Sequence, residues 1–214
     1  MDILAFLPGP DPQDLKLIQM RGEKMLRGRI KFATVIVLVT LMITLSTNTA
    51  SAWTGFKLLD IEQRNQEGDF LCWAACEQMI CRYFGNTSIT QYQIVNTLYN
   101  PVGDFPAGYR DISRSLSALG IASTPLSSAV PVGDIISQIE NNQPIIACAI
   151  FHNGPNNSNY GHAVVIRGYW AFTDMNWYDV YWVDPRPQND PYAYLAYSSF
   201  CSDWTLGSVY GIYM

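Results

Sequence analysis

The period of the apolar residues changes near Pro144, and this change limits the fold more than any other feature of the chain. Before it, Cys72, Ala75, Cys76, Met79, Ile80 and Tyr83 recur at helical spacing. They predict one long helix that packs a stripe into a core and ends at Gly85 and Asn86. Shorter helices are expected over residues 90–99, 111–120 and 132–143. Beyond Pro144, residues 144–151, 161–170, 178–185 and 208–214 are β-branched and aromatic runs with turn residues between them. They predict an antiparallel meander. Helices followed by such a sheet make an α+β domain, with a cleft expected where the two halves meet.

The first 52 residues do not fit this pattern. Residues 20–31 are basic, residues 32–45 are an uninterrupted apolar run of 14, and residues 46–52 end in Ala50-Ser51-Ala52. Basic, apolar and small is the order of a secretory signal peptide. A spanning helix needs roughly 20 apolar residues, so an uncleaved anchor through residues 32–45 is the alternative. Residues 1–19 fit no targeting pattern, and Met20 or Met25 would be a tidier start. The expected organisation is an N-terminal extension with signal peptide over 1–52 and one domain over 53–214, secreted or periplasmic. Cleavage after Ala52 leaves 7 of the 13 Lys/Arg and 14 of the 18 Asp/Glu, a net charge of about −7. Such a surface excludes electrostatic binding to nucleic acid and, after cleavage, stable association with an anionic membrane.

Three of the five cysteines, Cys72, Cys76 and Cys81, fall on the long helix. A C-x3-C-x4-C spacing lacks the C-x2-C pair of a zinc site, and Cys81 faces away from the other two. No metal or other cofactor is expected. Export would permit disulfides, and some of Cys76, Cys81, Cys148 and Cys201 are expected to pair or to stay as reduced core residues. Cys76 and Cys81 cannot bridge each other along a helix. An odd count leaves one thiol over. Cys72 stands at the helix start, where unpaired N–H groups and the positive end of the dipole favour an ionised sulfur.

A thiolate nucleophile needs a base, a group to orient that base, and donors for the oxyanion. The chain has two histidines. His152 lies in a loop with no acidic residue nearby in sequence. His162 opens a strand, and the next strand ends at Asp184. An ideal hairpin centred near Thr173 would pair residue 162 with residue 184, making base and orienter neighbours. Taken singly, each residue has a plainer reading. A buried helix cysteine is commonly inert, a strand-end histidine is often structural, and Asp-Pro often only starts a turn.

Gln66, six residues before Cys72-Trp73-Ala74-Ala75-Cys76, together with Gly161-His162-Ala163-Val164-Val165-Ile166 and Val183-Asp184-Pro185, resembles the papain-like cysteine peptidases. The likeness is to the bacterial branch with a Cys-Trp-Ala-Ala-Cys helix start, which includes effector proteases of plant pathogens, and more distantly to bacteriocin leader peptidases. It implies a papain-like fold with the nucleophile helix of the N-terminal half packed on the C-terminal sheet. It implies Cys72 as nucleophile, His162 as general base and then acid, and Asp184 as orienter. Gln66 would donate to the oxyanion, with Gln63 at the wrong spacing. The expected activity is a secreted cysteine peptidase, a monomer acting on a peptide or protein substrate. The alternatives are a non-catalytic secreted binding or toxin-like domain, or another acyl transfer or amidase reaction on the same residues.

Overall fold

The computed structural model describes residues 54–151, 160–204 and 207–214. The predicted signal peptide, its cleavage site and His152 lie outside them. The elements run β1 (Thr54–Leu58), α1 (Cys72–Tyr83), α2 (Gln91–Val95), α3 (Tyr109–Ala118), β2 (Ala122–Leu126), α4 (Val132–Glu140), β3 (Ile145–Phe151), β4 (Tyr160–Phe172), β5 (Trp177–Val183), β6 (Tyr192–Ala196), α5 (Tyr197–Asp203) and β7 (Gly207–Tyr213). This is the α+β arrangement that the change of period predicts. The helix expected over 90–99 shrinks to five residues, closed at its start by a Thr90–Gln93 capping box.

The strands form one sheet in the order β2-β7-β3-β4-β5-β6. Strands β3 to β5 follow the expected meander and β6, which is not among the expected runs, extends it, but β7 does not continue it. The chain runs through α5 and returns to pair with β3, so β7 lies between β2 and β3. Strand β4 is long enough for two partners on one side. Its first half pairs with β3 from Phe151↔Tyr160 to Ile145↔Ile166, and its second half pairs with β1 from Leu58↔Gly168 to Thr54↔Phe172.

The β4–β5 hairpin departs from the ideal register. The chain turns through residues 173–176, with a 3-10 turn over Thr173–Met175 and Asn176 in the left-handed region at φ 50°. The first pair is therefore Phe172 with Trp177, and a bulge at Arg167 then shifts the ladder back by one, so that Val165 faces Val183. Gly168 serves this irregularity, because a Cβ there would lie 2.4 Å from the Lys57 carbonyl oxygen. Continued, the ladder would put Val164 opposite Asp184, not His162. The discrepancy is two residues, the side-chain period of a strand, so His162 and Asp184 still share a face as a diagonal pair.

Helix α1 is central. It packs against β4, α2 and α3, and every residue from Trp73 to Cys81 is buried. The expected apolar stripe is thus too narrow a description, since Trp73, Ala74 and Cys81 are covered as well. The polar side chains enclosed with it are bonded. Gln78 Nε2 donates to the Ile89 carbonyl at 2.8 Å, and Gln91 Nε2 donates to Gln78 Oε1 at 3.1 Å.

Candidate active site

Cys72 is the first residue of α1 and is half-buried, with its sulfur on the wall of a cleft of about 670 Å³. The helix enters from Leu71 with no side-chain cap, so its first N–H groups remain for whatever the cleft holds. His162, near the start of β4, lines the same cleft, with Trp73, Pro106, Tyr109 and Cys148 among the other lining residues. The lining is mostly apolar, and the volume is that of a small-ligand or peptide side-chain site.

The imidazole is held through Nε2. His162 Nε2 lies 2.8 Å from Asp184 Oδ1, with both side chains almost fully buried. With Nε2 directed at the carboxylate, Nδ1 is the nitrogen that remains for Cys72, whose side chain interacts electrostatically with the ring. Burial alone would depress the His162 pKa. The interactions with Asp184 and then with Cys72 outweigh it, so the imidazole titrates above its ordinary value. Burial likewise pushes the Asp184 carboxyl up, but His162, Asn189 and the Arg186 amide hold it below the usual aspartate value. Both shifts favour an imidazolium–carboxylate pair.

Asp184 is fixed by its own loop. Its Oδ1 also accepts the Arg186 backbone N–H at 2.8 Å, an Asx turn, and its Oδ2 accepts Asn189 Nδ2 at 2.7 Å. The plain reading of Asp-Pro as a turn start and the reading of Asp184 as an orienter therefore hold together. Asn189 is a site residue that the sequence does not signal, because nothing local distinguishes one loop asparagine from another.

Gln66 lies in the segment leading to Cys72. Its N–H donates to the Pro185 carbonyl at 2.8 Å, tying this segment to the Asp184 loop. Its side-chain Nε2 donates to the carbonyls of Gly68 at 2.7 Å and Asp69 at 3.2 Å. Gln66 is not among the residues lining the cleft. Gln63 Nε2 is bonded to Asn65 Oδ1 at 2.6 Å and to the Asp184 carbonyl at 3.4 Å.

The remaining cysteines are free thiols, the second of the two states that the sequence leaves open. Burial pushes Cys81 and Cys148 up to about 12 and raises Cys76 and Cys201 as well. They are held as neutral thiols, two of them close enough to feel a charge on Cys72. Among the described residues, no cluster of His, Cys, Asp and Glu could hold a metal ion.

Comparison with known proteins points the same way. Residues 56–202 match the family model described as papain-like cysteine protease AvrRpt2. No curated protein sequence matches the chain. Among solved structures, a protein described as a C39-like peptidase from Bacillus anthracis superposes with a TM-score of 0.52 at 11% identity, covering 73% of this chain and 96% of that one. The peptidase domain of Streptococcus ComA, a bifunctional ABC transporter of a quorum-sensing pathway, gives a TM-score of 0.49 at 15% identity, covering 72% and 95%.

Proposed function

The chain belongs to the papain-like cysteine protease AvrRpt2 family and is a cysteine-type peptidase, and from that premise we propose that it cleaves peptide bonds through a thioester on Cys72. The observation that carries this reading is the single imidazole bonded to Asp184 that lines one cleft with Cys72 and interacts electrostatically with it. The Cys72 thiol gives its proton to His162 Nδ1, and the thiolate attacks the scissile carbonyl. The imidazolium then returns the proton to the leaving amine, and the thioester forms. Water enters on the same side, His162 takes its proton, and hydrolysis frees the carboxylate product and the Cys72 thiol. Asp184 keeps the Nε2–H in place throughout, so that Nδ1 faces sulfur at every stage.

Negative charge on the tetrahedral oxygen is met by the Cys72 backbone N–H and the Gln66 amide. Both Gln66 amide hydrogens are occupied by loop carbonyls in the resting enzyme. The longer bond, to Asp69 at 3.2 Å, is the one it gives up. Cys72→Ala is expected to abolish hydrolysis and His162→Ala nearly to do so, each with an unchanged circular dichroism spectrum. Gln66→Ala is expected to lower kcat by about 10²–10³, the usual cost of one oxyanion donor. Labelling by a thiol-reactive epoxide at Cys72, followed by cleavage of a peptide library, checks the reading; hydrolysis retained by folded Cys72→Ala would end it.

The basic, apolar and small-residue order of residues 20–52 supports export of this peptidase. The exported protein is expected to begin at Trp53. An intact mass that retains residues 32–45 would instead support an anchored enzyme.

A further inference from the structure

The two peptide groups just before the nucleophile are held on both sides. The N–H of Asp69 donates to Asp104 Oδ2 at 2.8 Å and the N–H of Phe70 donates to Asp104 Oδ1 at 2.8 Å. The carbonyls of the same two peptide units, those of Gly68 and Asp69, accept from Gln66 Nε2. Thus the 68–69 and 69–70 peptides each lie between the Asp104 carboxylate and the Gln66 amide. Charge-assisted bonds from a carboxylate to backbone N–H groups are the stronger kind. Gly68 makes room for this contact, since a Cβ on it would lie 2.7 Å from Asp104 Oδ1 and 3.0 Å from Oδ2.

Asp104 comes from the loop that also forms part of the cleft wall, through Pro106, Ala107 and Gly108. That loop is fastened to α1, because Trp73 Nε1 donates to the Phe105 carbonyl at 2.9 Å. It is fastened again by the Tyr99 hydroxyl, which donates to the Pro106 carbonyl at 2.7 Å. The segment on the N-terminal side is pinned separately by Gln91, which bonds the Asn65 carbonyl and the Glu67 N–H.

We propose that Asp104 is a positioning residue for the oxyanion site, acting through the Gly68–Phe70 backbone to hold the Gln66 amide and the entry to Cys72 in their working geometry. This rests on the peptidase reading and assigns a residue to it that no sequence motif marks. The physical reason is preorganisation. Gln66 can move one hydrogen from the Asp69 carbonyl to an oxyanion only if the peptide it leaves stays put, and the Asp104 carboxylate is what keeps it there. An oxyanion exists only in the transition state and the tetrahedral intermediate. Loss of Asp104 therefore falls on kcat and spares KM.

The test is a double-mutant cycle on the mature enzyme. Asp104→Ala is expected to lower kcat by about 10-fold or more, less than removal of the oxyanion donor itself, with KM within about twofold. Titration with the epoxide should return the same active fraction as the parent. In a Gln66→Ala background the same change is expected to cost less than about twofold, because the donor it serves is gone. Asp104→Asn, which keeps one acceptor, should give a smaller loss. In the Cys72→Ala protein, Asp104→Ala should also speed hydrogen exchange at the Asp69 and Phe70 amides. An unchanged kcat in Asp104→Ala, or an equal loss with and without Gln66, overturns the proposal while leaving the peptidase reading intact. An inactive, unlabelled parent overturns both. If neither Asp104 variant folds, Asp104 serves the fold alone and the proposal fails.

Discussion

At Asp184 one carboxylate meets three donors, His162 Nε2, the Arg186 amide and Asn189 Nδ2, and each shapes what the imidazole does. The Arg186 and Asn189 bonds fix the carboxylate, and the carboxylate holds His162 protonated above its ordinary range against a burial that would depress it. Rate in a thiolate–imidazolium enzyme declines as pH rises through the imidazolium pKa. Asp184→Asn keeps an acceptor for Nε2–H but removes the charge. It is expected to lower kcat by roughly 10- to 100-fold, part of what a positioned acid–base group supplies. It should also move the alkaline limb of kcat/KM to lower pH. The stability linkage has a matching sign. The raised His162 contribution is present below its ordinary value and is lost as pH rises through the folded one; the depressed Asp184 contribution is present above the ordinary aspartate value and is lost as pH falls through the folded one. The variant should therefore be most destabilised relative to parent between those two limits, and thermal melts against pH would show it. An unmoved alkaline limb would mean that Asp184 does not set the charge on His162.

The elements differ in how far the sequence announces them. Helix α1 and strands β3, β4, β5 and β7 carry strong periodic or β-branched signals because they form the centre, where packing selects apolar residues at every inward position. Strands β1, β2 and β6 carry none. β2 and β6 lie at the sheet edges and β1 lies off the main strand order; Pro125 in β2 is tolerable only at such an edge. Their shape comes from the neighbours they pair with. The site divides in the same way. Cys72, His162 and Asp184 could be proposed as a group because a helix start and two strand ends are positions that a sequence marks. Asn189 and Asp104 could not, because each is one polar loop residue among many and nothing in its local sequence marks it.

Glu77 shows what periodicity hides on α1 itself. Its carboxyl is fully buried, 2.6 Å from Ser115 Oγ, which lies 2.7 Å from Thr97 Oγ1, itself 2.7 Å from the Ile94 carbonyl. These three links need three protons, and the two hydroxyls supply only two. A protonated Glu77 completes the chain, donating to Ser115, which donates to Thr97, which donates to Ile94. Burial raises the carboxyl well above its usual value, in agreement. A carboxyl kept neutral in the fold contributes fully below its unfolded pKa, and that contribution is lost as pH rises above it. Glu77→Gln retains a donor for Ser115 and removes the ionisation. Its stability relative to parent should thus improve from pH 5 to pH 8, by at most about 1.4 kcal/mol per pH unit. A stability difference independent of pH would refute a neutral Glu77.

For the whole molecule, the distribution of sulfur decides how the enzyme would withstand the oxidising compartment proposed for it. Paired cysteines would brace the fold against that environment, and the sequence leaves such pairing open. The structure takes the other course. Cys76, Cys81 and Cys148 are 0%, 1% and 5% exposed in the hydrophobic core, each a free thiol. Their protection is burial: a thiol held up to about 12, as Cys81 and Cys148 are, presents almost no thiolate to an oxidant at neutral pH. Cys201 on α5 is half-buried, and burial raises it too despite the Tyr197 hydroxyl, which favours its thiolate. Cys72 alone combines access from the cleft with a helix N-terminus and an imidazole partner. Iodoacetamide at neutral pH is therefore expected to modify Cys72 first and Cys201 more slowly. Cys76, Cys81 and Cys148 should react only after unfolding. In denaturant without reductant, mass spectrometry should find all five cysteines alkylated. Fewer than five would reveal a bridge and transfer the burden of stability from the packed core to a covalent link. Rapid native modification of Cys148, which also lines the cleft, would mean instead that two sulfurs, not one, face the substrate.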